Sequence, residues 1–255
     1  MKNKIAIITG ASQGIGRATA LRLAEDFKGL VLVARNMEEL EKTAGMIGDQ
    51  TELELISADL RESDAALQVV GQAVQRFGRI DALINIAGAV PQISVFDMTD
   101  AQWNDGAEMK LHGARRLTIA AWPFLKQSGG SVVFTSGSSA AEPKAAFAAV
   151  AVINAAIVAL AKAFADTGKA EGIQVNSLLP GAVMSNRRKN FLNKLAETNQ
   201  ISVEEASQKF LRESGIPRYG EPAEIANLIA FMVSADAQWM TGSAIRMDGG
   251  EIRGI

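Results

Sequence analysis

Lys4-Ile-Ala-Ile-Ile-Thr9-Gly10-Ala-Ser-Gln-Gly14-Ile-Gly16 opens the chain with a β-branched run, a glycine-spaced turn and then a helix-like segment. Gly10 suits the tight turn at the strand end, where a side chain would obstruct the chain. Gly14 lets the backbone come close to a bound phosphate, and Gly16 lets the new helix lie against the sheet. A helix start presents free N–H groups and the positive end of its dipole, so the junction is suited to an anion such as a dinucleotide pyrophosphate. Glycine spacing alone is weak evidence; a strand before it and a helix after it supply the context the motif requires. Without a ligand the same residues would make a plain strand–helix turn.

Outward from this junction, strand-like and helix-like runs alternate. Strands are expected at Ile5–Thr9, Leu30–Ala34, Glu52–Ser57, Ala82–Ile86, Ser131–Thr135, Gln174–Leu178 and Ala244–Met247. Helices are expected near Gly14–Asp26, Met37–Met46, Ser63–Phe77, Asp100–Lys126, Ala145–Ala170 and Glu221–Val233. Several strands are continuous apolar runs, as in a parallel sheet covered on both faces. The pattern implies one doubly wound α/β domain, a Rossmann-like parallel sheet spanning residues 1–255 with no internal linker. Residues 186–215 break the rhythm. They mix charge with Phe191, Leu192, Leu195 and Phe210 and read as one or two amphipathic helices. Because ligands bind outside the carboxyl ends of such strands, this insertion is expected to cover the crevice as a lid; the alternative is an inert appendage.

Composition narrows the classes. The 255 residues have a net charge of −2, one histidine and no cysteine. There is no basic field for nucleic acid or anionic lipid, and neither thiolate nor multi-histidine metal sites can form. The start of the chain lacks the apolar core of a signal peptide, which suggests a cytoplasmic protein. Ala145–Ala161 is strongly apolar but shorter than a typical membrane span. Burial between the sheet and a neighbouring subunit explains it better. The helix is apolar nearly all round, which implies that both sides are covered.

The chain resembles the short-chain dehydrogenase/reductase family over nearly its whole length. The resemblance rests on Thr9-Gly10-Ala-Ser-Gln-Gly14-Ile-Gly16, on Asp59-Leu60 after the third strand and on Asn85-Ile-Ala-Gly88. It continues in Pro180-Gly-Ala-Val-Met-Ser185, Arg218-Tyr-Gly-Glu-Pro-Ala-Glu-Ile-Ala226 and Thr241-Gly-Ser-Ala-Ile-Arg-Met-Asp-Gly-Gly250. It implies NAD(P) binding, hydride transfer and a homodimer or homotetramer built on the long central helices. The implied cofactor contacts are Gly10, Ser12, Gln13, Gly14, Ile15, Gly16, Arg35, Asp59, Leu60, Asn85, Ala87, Gly88, Pro180, Gly181, Val183 and Ser185. Arg35 lies about 20 residues beyond the loop, where an acidic residue would hold an NAD ribose. An arginine there can pair with a 2′-phosphate, so NADP(H) is expected over NAD(H). The alternative is an arginine stacked on adenine without choosing between the two.

The catalytic positions depart from the family pattern. Counting back from Gly172-Ile-Gln-Val-Asn-Ser puts the family's tyrosine at Val150, its lysine at Asn154 and its serine at Gly137; its helix asparagine falls on Lys110. Ser136 and Ser138 flank Gly137, but neighbouring strand positions face opposite ways. The one tyrosine, Tyr219, lies in the C-terminal signature. Lys110 sits on the stripe Trp103, Ala107, Lys110, Ala114, Leu117, and Asn154 is the one polar side chain between Ala145 and Ala161. One hypothesis is that Lys110 and Asn154 hydrogen-bond beside the nicotinamide ribose and that a desolvated Lys110 donates a proton. The plainer reading, which the sequence favours, is that Lys110 snorkels to solvent and Asn154 is a satisfied core amide. His112 faces another side of the helix and suits a surface or subunit contact. Three functions remain open. One is a divergent oxidoreductase acting on an iminium or another strongly electrophilic substrate. The second is a non-catalytic nucleotide-binding subunit, and the third is a non-redox enzyme that retains the dinucleotide.

Overall fold

The computed structural model describes residues 3–254. Seven parallel strands form one sheet in the order β3-β2-β1-β4-β5-β6-β7. They are β1 (Ile5–Thr9), β2 (Gly29–Ala34), β3 (Glu52–Ser57), β4 (Ala82–Asn85), β5 (Ser131–Thr135), β6 (Gln174–Pro180) and β7 (Ala244–Met247). The helices are α1 (Gly14–Ala24), α2 (Met37–Ile47), α3 (Ala65–Phe77), α4 (Asp100–Ala107), α5 (Gly113–Ser128), α6 (Ala148–Glu171), α7 (Asn186–Asn199), α8 (Val203–Ser214) and α9 (Pro222–Met232).

Side-chain alternation explains the continuous apolar strands. Ile5 and Ile7 enter one core with Val31 and Val33, packed beneath α3, α5 and α6. Ala6 and Ile8 enter the other with Leu30 and Leu32, against Ala20 and Leu23 of α1 and Ile225 and Ile229 of α9. Successive residues therefore meet opposite layers, and both must be apolar. The strand order reverses between β1 and β4, which opens a crevice at their carboxyl ends.

The expected helix Asp100–Lys126 is continuous but not regular. Between α4 and α5, Glu108–His112 forms a π turn, and the helix runs on to Ser128. The stripe keeps its inward face: Lys110, Ala114 and Leu117 are buried. The apolar helix also differs from expectation. A 3-10 turn at Ala145–Phe147 leads into α6, which continues to Glu171. Together Ala145–Glu171 is long and apolar enough to cross a membrane by length and composition. Here one side packs on β5 and β6, while Val152 on the other is half exposed. Burial on both sides is thus not achieved within one chain. Residues 186–215 form two helices, α7 and α8, as anticipated, joined through Leu192, Ile216 and Tyr219.

Candidate active site

Thr9 ties the two sides of the crevice. Its Oγ1 accepts from the Ile86 N–H at 2.9 Å and the Ala87 N–H at 3.0 Å, bringing the end of β4 against the first turn. Gly10 has φ +69°, and a Cβ there would stand 3.1 Å from the Ala87 nitrogen. A Cβ on Gly16 would stand 2.0 Å from the Gly10 carbonyl oxygen, so α1 can start here only with glycine. The N-cap residue, Gln13, makes no side-chain capping bond, which leaves first-turn N–H groups of α1 to an anion. This cradle suits a pyrophosphate. It opens on a cavity of about 460 Å³, within the size range of small-molecule sites.

Most of the expected cofactor contacts lie on the cavity wall. Gly10, Ser12, Gln13, Gly14, Ile15 and Gly16 form one side, with Arg35 and Leu60 at one end. Ala87, Gly88, Pro180, Gly181, Val183 and Ser185 form the opposite side. Two residues are not on it. Asp59 is held by Arg61, whose Nε lies 3.0 Å from Oδ1 and whose Nη2 lies 2.6 Å from Oδ2. That ion pair keeps the Asp59 carboxyl below its ordinary pKa. Asn85 is buried beneath the wall, donating to Thr118 Oγ1 at 3.3 Å. Arg35 keeps a side-chain exposure of 58% and approaches Asp59 only to 3.9 Å, leaving its guanidinium open toward a ligand.

At the centre of the cavity, Lys110 and Asn154 meet. Lys110 Nζ donates to Asn154 Oδ1 at 2.5 Å and to the Ser136 carbonyl at 3.1 Å. Lys110 does not snorkel; it is only 7% exposed. Asn154 Nδ2 donates in turn to Ser139 Oγ at 2.9 Å, and Ser136 Oγ donates to the Asn154 carbonyl at 2.8 Å. Desolvation, reinforced by the positive charge of Arg187, lowers the Lys110 pKa from 10.5 to about 7. Two glycines make room for this pair. A Cβ on Gly88 would stand 2.8 Å from Lys110 Cγ and Cδ, and one on Gly137 would stand 2.7 Å from Asn154 Nδ2.

β5 ends at Thr135, and Ser138–Ala140 forms a 3-10 turn. The strand alternation expected for Ser136 and Ser138 therefore does not apply, and residues 136–139 all reach the cavity. Val150 also lines it, packed with Val90 and Ile153. Tyr219 lies elsewhere: its side chain stacks on Phe210, and its hydroxyl donates to the Ser207 carbonyl at 3.2 Å.

The outer wall comes from residues 186–215. Asn186, Arg187, Arg188, Phe191, Phe210 and Ser214 face the cavity. Asn186 Nδ2 donates to Gln13 Oε1 at 3.1 Å, linking this segment to the glycine turn. Arg187 Nη2 donates to the Val90 carbonyl at 3.2 Å.

A family model described as enoyl-(acyl carrier protein) reductase matches residues 10–251. The chain belongs to the short-chain dehydrogenase/reductase family. It is 29% identical over 251 residues to the 3-oxoacyl-[acyl-carrier-protein] reductase of Staphylococcus epidermidis, covering 97% of this chain and 98% of that one. Among solved structures, L-sorbose reductase from Gluconobacter frateurii, complexed with NADPH and L-sorbose, superposes with a TM-score of 0.94 at 26% identity, covering 100% of this chain and 98% of that one. A Serratia marcescens short-chain dehydrogenase/reductase mutant gives 0.88 at 26% identity, covering 98% of each chain.

Within this short-chain dehydrogenase/reductase framework, sequence reasoning missed Arg187, Arg188 and Ser139 as cavity residues. A signal for the arginines existed: two adjacent cations open α7, against the preference of a helix N-terminus for negative charge. Ser139 carried none, because its contact with Asn154 depends on how the 3-10 turn folds.

Proposed function

We propose that the protein is an NADP(H)-dependent reductase in which Lys110 serves as the proton donor. The observation behind this reading is the buried Lys110 amine on the cavity wall, with two protein acceptors for its three N–H groups. The third N–H remains available to a substrate atom. A pKa of about 7 suits a group that must be protonated yet willing to release its proton near neutrality. NADP(H), when bound by the glycine turn, residues 86–88 and residues 180–185, would supply hydride. Arg35 would take the 2′-phosphate. Lys110 holds a proton at Nζ and donates it to the developing anion on the substrate; Asn154, oriented by Ser139, fixes the amine in place.

Val150 and Gly137 stand at the family's tyrosine and serine positions and offer no hydroxyl. Donation from tyrosine is worth roughly 10²–10⁴ in rate. With Lys110 as the proposed donor, a strongly electrophilic carbonyl acceptor fits better than a simple ketone; an iminium, which leaves a neutral amine on hydride addition, would not call on Lys110. The test is Lys110→Met assayed with NADPH and a panel of imines and carbonyls. On carbonyls turnover should fall by roughly 10²–10⁴ with NADPH affinity kept, while imines should be reduced equally by both proteins; unchanged turnover on carbonyls removes Lys110 from the reaction. Tighter binding of NADH than NADPH would overturn the cofactor choice. The missing hydroxyls favour one rival, a non-catalytic nucleotide-binding subunit, which tight NADPH binding without turnover on any panel member would support.

A further inference from the structure

The cavity end beyond Lys110 is positively charged beyond the needs of the protein. Arg188 makes no hydrogen bond and no ion pair among the described residues. Instead its guanidinium carbon lies 4.4 Å from the centre of the Phe210 ring, 5.2 Å from Phe191 and 5.9 Å from Tyr219. This aromatic nest holds the cation by its faces and leaves its N–H donors unspent. Arg187 uses one donor on the Val90 carbonyl and likewise has no ion pair among the described residues. It retains open surface, yet enough protein surrounds its guanidinium to lower its pKa by desolvation, as happens at Arg188.

The neighbouring carboxylates form no ion pair with either arginine among the described residues, although the charge of Glu251 offsets part of that of Arg188 from a distance. Glu251 accepts from Ser138 Oγ at 3.4 Å, and Glu142 approaches Lys144 to 3.9 Å. Around the whole cavity, Arg35, Lys110, Lys144, Arg187 and Arg188 outnumber these two acids, in a chain whose net charge is −2. Arg187 is exposed and Arg188 partly buried, so an incoming anion can reach both guanidinium groups and supply the counter-charge that no ion pair among the described residues provides.

We propose that this end of the cavity binds an anionic group of the substrate, a carboxylate or a phosphate, with Arg188 as its bidentate partner and Arg187 beside it. The proposal rests on the reading of the cavity as the substrate site. It narrows the substrate class to molecules with an anion at one end and the reducible centre at Lys110. Planar guanidinium donors match the paired oxygens of either group. The ring-lined approach past Phe191 and Phe210 favours an apolar or aromatic stem.

Calorimetric titration with benzoate and with phenyl phosphate, using benzamide as the neutral isostere, tests the site without turnover. Each is measured with and without saturating NADPH. At least one anion should bind roughly tenfold or more tightly than benzamide, and the preferred one identifies the group. Arg188→Met keeps the apolar stem in the aromatic nest; it should remove that preference while NADPH affinity changes less than about twofold. Arg188→Lys should restore part of it. Equal binding of benzamide and both anions, or unaltered anion affinity in Arg188→Met, overturns the proposal. Anion binding lost only when NADPH is present assigns the arginines to the nucleotide and also overturns it. A protein that binds benzoate but no NADPH would defeat the reductase reading and leave this site standing.

Discussion

Lys110 has the most to lose from its position. Its pKa is lowered to about 7, so between pH 7 and the ordinary lysine value of 10.5 the unfolded chain binds the proton that the folded protein has released. Stability must therefore rise with pH across that window, by up to about 1.4 kcal/mol per unit, and the gain is absent below pH 7, where both states are charged. The charged neighbour responsible beyond desolvation is Arg187; Glu142 and Glu251 are the acids on the same cavity. Urea unfolding at pH 7 and pH 9 should show a rise for wild type that Lys110→Met lacks, and parallel curves would contradict the burial. Reductase turnover should move the other way, declining above about pH 7 as the amine loses its proton. Gly137 is bound to the same pair. Gly137→Ser places a Cβ 2.7 Å from Asn154 Nδ2 and should cost about 1–3 kcal/mol, read by the same unfolding experiment. Restoring the family residues therefore requires Lys110→Asn alongside Gly137→Ser, Val150→Tyr and Asn154→Lys, since Asn154→Lys alone would bury two cations together. The Lys110–Asn154 meeting was one of two open readings of the sequence. An apolar stripe shows that a lysine faces inward but not whether its four-carbon stem escapes.

At the scale of elements, the turn from β1 into α1 was fully legible, because its glycines answer to backbone clashes that leave a fixed spacing. Gly16→Ala tests this directly. A Cβ 2.0 Å from a backbone oxygen cannot be relieved by a side-chain rotation, so the turn must shift. NADPH affinity should drop at least tenfold, while the sheet persists by circular dichroism; full affinity would show that the cradle is more plastic than its packing. The π turn at Glu108–His112 was not legible, because a change of hydrogen-bond partner needs neither glycine nor proline. Asp59 and Asn85 were placed by their position at strand ends; the structure pairs them with Arg61 and with Thr118 of α5, partners that strand position alone does not reveal.

For the whole molecule, alternation of strands and helices sufficed to give the sheet, since both faces must be covered wherever a strand is apolar throughout. A second copy of the chain is the remaining layer we expect. Ile119 of α5 and Val152 of α6 are each 51% exposed, on helices whose other sides are buried. Val152→Glu should convert a dimer or tetramer into smaller species by light scattering, with little change in monomer fold; an unaltered mass would place the contact elsewhere. A π turn, such as the one between α4 and α5, closes over one residue more than an α turn, so it takes up a surplus residue while the helix beyond it keeps its heading. Excising one residue between Lys110 and Ile119 from the regular part of α5 would instead rotate the two against each other by about 100°, so the angle between the chemistry and the outward-facing side of the molecule is held by the number of residues separating them.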